Sequence, residues 1–227
     1  MVPILITAGI FVIAIITYLL FVRPWQHRWG ATDEEVARPM LGDELVQHPS
    51  LSATRAITVN ARPEDTWHWI VQIGFGRAGW YSYDWIDNLG KPSSNRIVPE
   101  WQDLKVGDKI YLSKWTYEIV KQIKPYQSML WVGADSAATA GTWAWGLYPV
   151  GKEQTRLITR MRGRYDWKSP WIVLLLVVDT LDIVMMRRCL LGIKERAEKL
   201  ADQRLEKMSA VIAKTQSFVF SQHRSSY

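Results

Sequence analysis

The sequence predicts an α+β fold: an antiparallel sheet with helices on one face, among them one long C-terminal helix, and an apolar membrane helix ahead of the domain. Three observations carry that expectation. Residues 2–22 contain no charged side chain. From Asp108 to Arg162 apolar residues recur with a period of two, the repeat of half-buried strands. After Pro170 a helical pattern continues to about Ala213 without another proline. Strands grouped together, with helices before and after them, segregate as the layers of an α+β domain do. A strongly curved sheet wrapped on a long helix would enclose a cavity.

The apolar segment reads VPILITAGIFVIAIITYLLFV. At 1.5 Å per residue, about 20 residues cross the ~30 Å hydrocarbon core of a bilayer. A secretory signal would place Lys or Arg before a shorter apolar run and small residues at a cleavage site. Here nothing basic precedes the run, and Arg23, Pro24, Trp25, His27, Arg28 and Trp29 follow it. Residues 1–24 therefore read as an uncleaved anchor with an interfacial collar, and a buried core helix is the competing reading. The positive flank lies after the span, which puts the N-terminus outside and the rest of the chain in the cytoplasm. A second apolar stretch, residues 171–186, contains Asp179 and Asp182. A carboxylate at the bilayer centre costs about 2.5–3.5 kcal/mol, so two of them argue against a second span. They share one helix face and leave the other apolar, suited to lie against the sheet, the membrane surface or both.

Between these helices the elements follow from local chemistry. Thr32-Asp33-Glu34-Glu35 forms a capping box for a short helix ending near Pro39. Residues 54–59 alternate as a strand. Pro63 opens a helix whose apolar stripe includes Trp67, Ile70 and Val71. Residues 74–99, rich in Gly, Ser, Asn and Pro, read as loop with one short helix at 82–89. Strands are expected at 109–112, 115–121, 128–132, 142–148 and 155–162. Residues 25–213 thus form one domain, followed by a tail at 214–227.

Composition limits the function classes. The 227 residues carry 28 Lys plus Arg against 22 Asp plus Glu, a net charge of +6, with 48% hydrophobic residues. Such a chain can bury a core and is not a disordered tail. A single cysteine, Cys189, excludes an internal disulfide and a cysteine zinc site. The four histidines show no metal-ligand spacing, no cofactor motif is present, and the modest basic excess on an anchored chain fits nucleic acid poorly. Tryptophan is the outlier, at 13 residues; its flat ring and single donor suit lined cavities and membrane interfaces.

Several strings together resemble the SRPBCC (START-like, polyketide-cyclase-like) superfamily, in its membrane-anchored branch. They are Trp29-Gly30-Ala31-Thr32-Asp33-Glu34-Glu35, Trp69-Ile70-Val71-Gln72-Ile73-Gly74, Gly79-Trp80-Tyr81-Ser82-Tyr83-Asp84-Trp85, Pro99-Glu100-Trp101-Gln102 and Val106-Gly107-Asp108. The same order continues in Thr142-Trp143-Ala144-Trp145, Thr155-Arg156-Leu157 and Leu191-Gly192-Ile193-Lys194-Glu195-Arg196-Ala197-Glu198, so the resemblance spans about residues 25–200. It implies a helix-grip fold, a curved antiparallel sheet around a long C-terminal helix, with a deep apolar pocket. It implies ligands such as lipids, sterols or polyketides, and brings no catalytic residue with it.

The densest candidate site is Gly74–Asp84, where Arg77 would pair a ligand carboxylate or phosphate at a pocket mouth while Trp80, Tyr81, Tyr83 and Trp85 cover apolar carbon. Gln72 would orient a polar head group, and Trp101, Trp143 and Trp145 would complete the lining. The competing reading is a packed loop whose Tyr hydroxyls satisfy backbone groups. Asp84, Asp87, Glu100, Asp103 and Asp108 are the clustered acids from which an enzyme of this type would draw a base of raised pKa; helix decoration and turn chemistry are the alternative. Arg156, Arg160, Arg162 and Arg164 share one parity and would face anionic head groups or solvent. Cys189 beside Arg188 is either an activated thiol or a packed helix residue. The expected partners are the lipid bilayer and a hydrophobic small molecule or lipid; oligomeric state is open. Three functions follow: a membrane-anchored binder, a cyclase- or hydratase-like enzyme, and a membrane-attached interaction module with no ligand.

Overall fold

The structure is a computed structural model and describes residues 2–134, 141–170 and 172–224; Trp171, the first residue of the second apolar stretch, lies outside them. Six strands form one antiparallel sheet: β1 (Leu51–Val59), β2 (Lys109–Tyr111), β3 (Tyr117–Lys124), β4 (Ser128–Gly133), β5 (Thr142–Pro149) and β6 (Thr155–Gly163). Their order is β1-β6-β5-β4-β3-β2. Strands β2 to β6 are a meander, and β1 joins its last strand, pairing Leu51 with Gly163 and Val59 with Thr155. A bulge between Val120 and Gln122 shifts the register of β3 on β4 and adds local bend and twist. The curved sheet grips the helix α6 (Ile172–Arg224), so the helix-grip arrangement is present. That helix runs past the expected end at Ala213.

Register explains the core. One row across the concave face reads Val120, Trp131, Trp143, Met161 and Ala53, and the next reads Ile123, Met129, Trp145, Thr159 and Arg55. Trp131, Trp143 and Trp145 meet with ring centroids 5.2–5.6 Å apart, and Trp143 Nε1 donates to Thr159 Oγ1 at 2.7 Å. Helix α4 (Pro63–Val71) adds buried Trp67, Trp69 and Ile70. From the other side α6 buries Ile183, Met186, Leu190, Ile193 and Ala197, spaced three or four apart as one helix face requires.

The convex face is covered, which corrects the expectation for the arginine row. Helix α3 (Asp33–Ala37) carries the capping box, and the irregular chain after it places Met40 over Ala56, Leu130, Ala144 and Ile158. Arg156 pairs with Glu35 at 2.6 Å, while Arg160 and Arg162 pair with Asp43 at 2.6 and 3.0 Å. Arg164 Nε donates to the His48 carbonyl at 3.3 Å. These guanidinium groups fasten the covering segment to β6 and do not form a bare face.

The N-terminal helical run consists of α1 (Val2–Thr17), a π-helical turn (Tyr18–Val22) and α2 (Arg23–His27). Its apolar side chains stand exposed, Phe21 at 70%, and the span Gly9–His27 is long and apolar enough to cross a membrane, with only 6% of its window buried. That exposure removes the buried core helix as a reading. The foot of the run is bolted to the domain. Arg23 Nη2 and the His27 ring each lie 3.1 Å from the Asp179 carboxylate. Tyr18 Oη meets Thr180 Oγ1 at 2.8 Å, and Arg55 Nε donates to the Gln26 carbonyl at 3.0 Å.

Two boundaries differ from the sequence reading. Strand β3 starts at Tyr117 because the Ser113 hydroxyl accepts from the Trp115 and Thr116 amides at 3.2 Å, a side-chain turn that competes with the ladder. The helix expected at 82–89 shortens to α5 (Asp84–Asp87), because Leu89 and Gly90 take positive φ.

Candidate functional site

One open space beneath the long helix is an apolar cleft of about 390 Å³ near the N-terminal end of α6. Its sheet side is Leu112, Trp143 and Met161, its helix side Val178, Leu181, Asp182, Met185, Met186 and Cys189, and its floor Trp80, Ser82 and Asp87. Deeper in, Trp131 and Trp145 are almost fully buried and pack on Trp143, which faces the cleft.

The loop before α5 builds the floor. Gly74 and Gly79 form an antiparallel bridge. Gly79 takes φ +84°, and a Cβ there would sit 2.3 Å from Ser93 Oγ, so the close turn needs glycine. The turn lays Trp80 on Trp143, stacked at 5.7 Å with an interplanar angle of 5°. Asp84 then fixes α5 by accepting from the Ser93 amide at 2.9 Å and the Ser93 hydroxyl at 2.5 Å. This places Asp87 on the cleft wall.

Asp87 is the unusual group. Neither carboxylate oxygen has a hydrogen-bond partner among the described residues, and both are shut from solvent. The Ser82 hydroxyl is close, but its proton goes to the Met185 carbonyl at 3.1 Å. Burial, with the nearby Asp84 charge adding to it, pushes the Asp87 carboxyl up to about 6. Asp182, the other wall carboxylate, is held by Arg55 at 2.5 Å, and its burial still raises it against that attraction. The Cys189 thiol is raised by burial, and Arg188 pairs with Glu195 at 2.7 Å. Activation of Cys189 by its neighbour is therefore corrected to a packed, protonated thiol.

The nine residues expected to bind a ligand separate. Trp80 and Trp143 line the cleft. Gln72 is a buried strut: its amide donates to Tyr81 Oη at 2.9 Å and its carbonyl accepts from the Val98 amide at 2.9 Å. Tyr81 Oη in turn donates to the Trp69 carbonyl at 3.1 Å. Arg77 donates to the Val71 and Trp101 carbonyls at 2.7 and 3.3 Å and lies over the Trp101 ring at 4.7 Å, away from the apolar cleft. Trp145 is core, and Tyr83 and Trp85 are exposed, Trp85 at 75%. Of the other acids, Glu100, Asp103 and Asp108 lie with Arg77 at a surface hollow. The sequence reading missed Met161, Val178, Leu181, Met185 and Cys189 as lining. Their signal on α6 is the three-and-four spacing of 178, 181, 182, 185 and 189.

No family model and no curated protein matches the sequence. Solved structures with a similar course exist. A solution structure from Thermobifida fusca is 13% identical, with a TM-score of 0.44 over 66% of this chain and 94% of that one. The self-sacrificing resistance protein CalC from Micromonospora echinospora is 11% identical, with 0.43 over 65% and 94%. An HSP90 activator from Plasmodium falciparum is 14% identical, with 0.38 over 57% and 86%. Likenesses this faint say nothing about a ligand or a reaction; the fold stands on the strand order and register above.

The Asp87 shift has a thermodynamic consequence. An unfolded Asp titrates near 3.9, so between there and about 6 the folded chain holds the extra proton. Stability then falls as pH rises through that window and stays lower above it. Asp87→Asn should melt above the wild type at pH 7.5, with the gap closing towards pH 4.5. A melting curve of both proteins across that range checks it; a constant gap would contradict the burial of this carboxylate.

Proposed function

We propose that this protein is a membrane-anchored binding module that takes a hydrophobic small molecule or lipid into the cleft beneath α6, for transport or sensing. The observation that carries this reading is an interleaving on two turns of one helix. Asp179 and Thr180 hold the foot of the N-terminal helix, while Val178, Leu181, Asp182 and Met185 line the cleft. At 1.5 Å rise per residue, the cleft wall lies within about 10 Å along α6 of the point where the anchor joins. A guest dissolved in the bilayer reaches such a mouth without crossing much water. Burying it in apolar surroundings contributes about 25 cal/mol per Å². Arg23 and Arg28 just after the span favour an N-terminus outside and the domain in the cytoplasm.

A second reading rests on Asp87: a carboxylate of raised pKa in a dry cleft is what a cyclase- or hydratase-like general base needs. Turnover abolished by Asp87→Asn, with guest binding retained, would favour it.

The test is native mass spectrometry of the full chain released from detergent. The wild type should carry a co-purifying apolar guest, and Met185→Trp, which fills the cleft, should lose at least nine-tenths of it. Equal occupancy in the plugged variant would contradict the assignment of the site. An empty wild type after supplementation with total membrane lipid would favour the interaction module.

A further inference from the structure

We propose that the end of the domain holding the cleft is itself a membrane-docking face. The first turns of α6 and the exposed tryptophans around the cleft rest in the near leaflet of the bilayer, and the cleft mouth opens into it. This rests on the reading of residues 1–24 as a membrane anchor and adds a second, peripheral contact to that anchor.

The helix carries the first observation. Val173, Val177, Val178, Leu181 and Val184 are all exposed. At 3.6 residues per turn they fall on one arc of about 140°. No charge interrupts that arc, because the two acids of the segment point elsewhere: Asp179 is paired with Arg23 and His27, and Asp182 with Arg55. The opposite side is buried through Ile183 and Met186. A helix apolar on both faces belongs inside a protein or in lipid, and here only one face is covered by protein. Further along, α6 returns to the plan of a water-facing helix, with Glu195, Lys199 and Asp202 exposed. The change comes at exposed Arg187. From 173 to 184 the arc is about 17 Å long, against ~30 Å for the hydrocarbon core, so it fits one leaflet and does not cross.

The tryptophans carry the second. Four are exposed among the described residues: Trp25, Trp85, Trp115 and Trp167. Trp25 stands in the foot of the anchor. Trp85 stands on α5, between Ser82 and Asp87 of the cleft floor. Strand register gathers the other two. Tyr111 pairs with Tyr117, Glu118 with Gly133, and Thr142 with Arg162, so the β2–β3 turn holding Trp115 and the exit of β6 before Trp167 lie at one end of the sheet. Leu112 and Met161 line the cleft at that end. Exposed Lys114 and Lys168 flank Trp115 and Trp167, the pairing of ring and ammonium that suits head-group level. Asp166 opposes them there and accepts from the Lys168 amide at 3.0 Å.

Continuity names the occupant. Asp179 and Thr180, which hold the anchor foot, lie within the arc's own segment, no more than about 5 Å along the helix from Val177 and Leu181. A bilayer that holds the exposed apolar run of residues 9–22 therefore comes up against the arc. Large exposed apolar patches mark interaction sites, and an apolar helix face bordered by Trp and Lys is the plan of an interfacial helix.

The experiment attaches a nitroxide to the full chain at one position at a time, through Ile13→Cys, Val177→Cys, Leu181→Cys, Trp115→Cys or Val150→Cys. All five side chains are exposed, so the core is untouched, and Cys189 is buried away from the reagent. Each labelled chain is reconstituted into liposomes of phosphatidylcholine and phosphatidylglycerol. Collision with oxygen, which concentrates in hydrocarbon, is compared with collision with a water-soluble nickel chelate. Oxygen should exceed nickel at least threefold at 13, 177 and 181, with an intermediate ratio at 115. Nickel should exceed oxygen at 150, in the β5–β6 turn at the opposite end of the sheet. Lipid contact at 13 with 177, 181 and 115 open to nickel overturns the docking face and leaves the anchor standing. Nickel access at 13 as well overturns the anchor, and with it the reading on which the face depends. Shielding of 177 and 181 from both probes, with spin–spin broadening relieved by unlabelled chain, gives the face to a second copy and overturns the bilayer as its occupant.

Discussion

Gly192→Ala should destabilise the domain by at least about 2 kcal/mol, a fall in Tm of roughly 4–8 °C for a chain of this size. In an exposed helix the same change would stabilise by about 1 kcal/mol. Here a Cβ on residue 192 would sit 2.2 Å from the Tyr81 carbonyl oxygen and 2.7 Å from Tyr81 Cβ. Neither can swing aside. Tyr81 already holds φ +57°, its hydroxyl is tied to Gln72 and Trp69, and the Arg196 guanidinium lies over its ring at 4.5 Å. The helix must back away from the loop, and overpacking of this kind costs about 1–3 kcal/mol or more. Ser209→Ala, on the exposed part of the same helix, should stay within about 0.5 kcal/mol. Thermal melts of both variants check this; equal melting points would mean that Gly192 does not set how closely α6 sits on the cleft floor.

The second large effect belongs to Arg55 and Asp182. The Arg55 side chain is 1% exposed, and its partner lies at 2.5 Å. Asp182→Asn leaves a guanidinium buried without a countercharge, at a cost of about 3–5 kcal/mol, the usual outcome of breaking a buried pair from one side. Arg55→Met strands the carboxylate in turn. The double change Arg55→Met with Asp182→Leu removes both charges and should cost less than either single change, since the burial that raises Asp182 is then relieved. A double-mutant cycle read by thermal melting checks it. Additive losses would show that the two groups do not act as a pair.

Most of the fold was legible because its signals are local. Alternation placed all six strands within about three residues of their observed bounds, and the capping box at Thr32 forms as its spacing requires. The second apolar stretch was read as unsuited to span on account of Asp179 and Asp182. Their use was not legible, since Arg23, His27 and Arg55 come from more than a hundred residues away in the chain. The arginines of β6 show the same limit. Parity put them on one face, but the segment that covers it is irregular and leaves no periodic trace.

The site was legible in part. Trp80 and Trp143 were named for their aromatic character, and they do stack at the cleft. Gln72, Tyr81 and Arg77 drew attention as polar groups among aromatic rings, but each closes a hydrogen bond with its own loop. Sequence spacing cannot distinguish a polar group aimed at a cavity from one satisfied by backbone. Asp87 stood among five acids, and only its lack of a partner sets it apart.

Photolabelling tests the central claim most directly. The full chain in liposomes would be irradiated with a long-chain alcohol carrying a diazirine midway along the chain, and the labelled positions mapped by peptide mass spectrometry. Label should concentrate on the peptides holding Trp143 and Met161 and disappear from them in Met185→Trp. Label confined to residues 6–22 of the exposed anchor and to α6, unchanged by the plug, would show that the molecule touches lipid without admitting a guest.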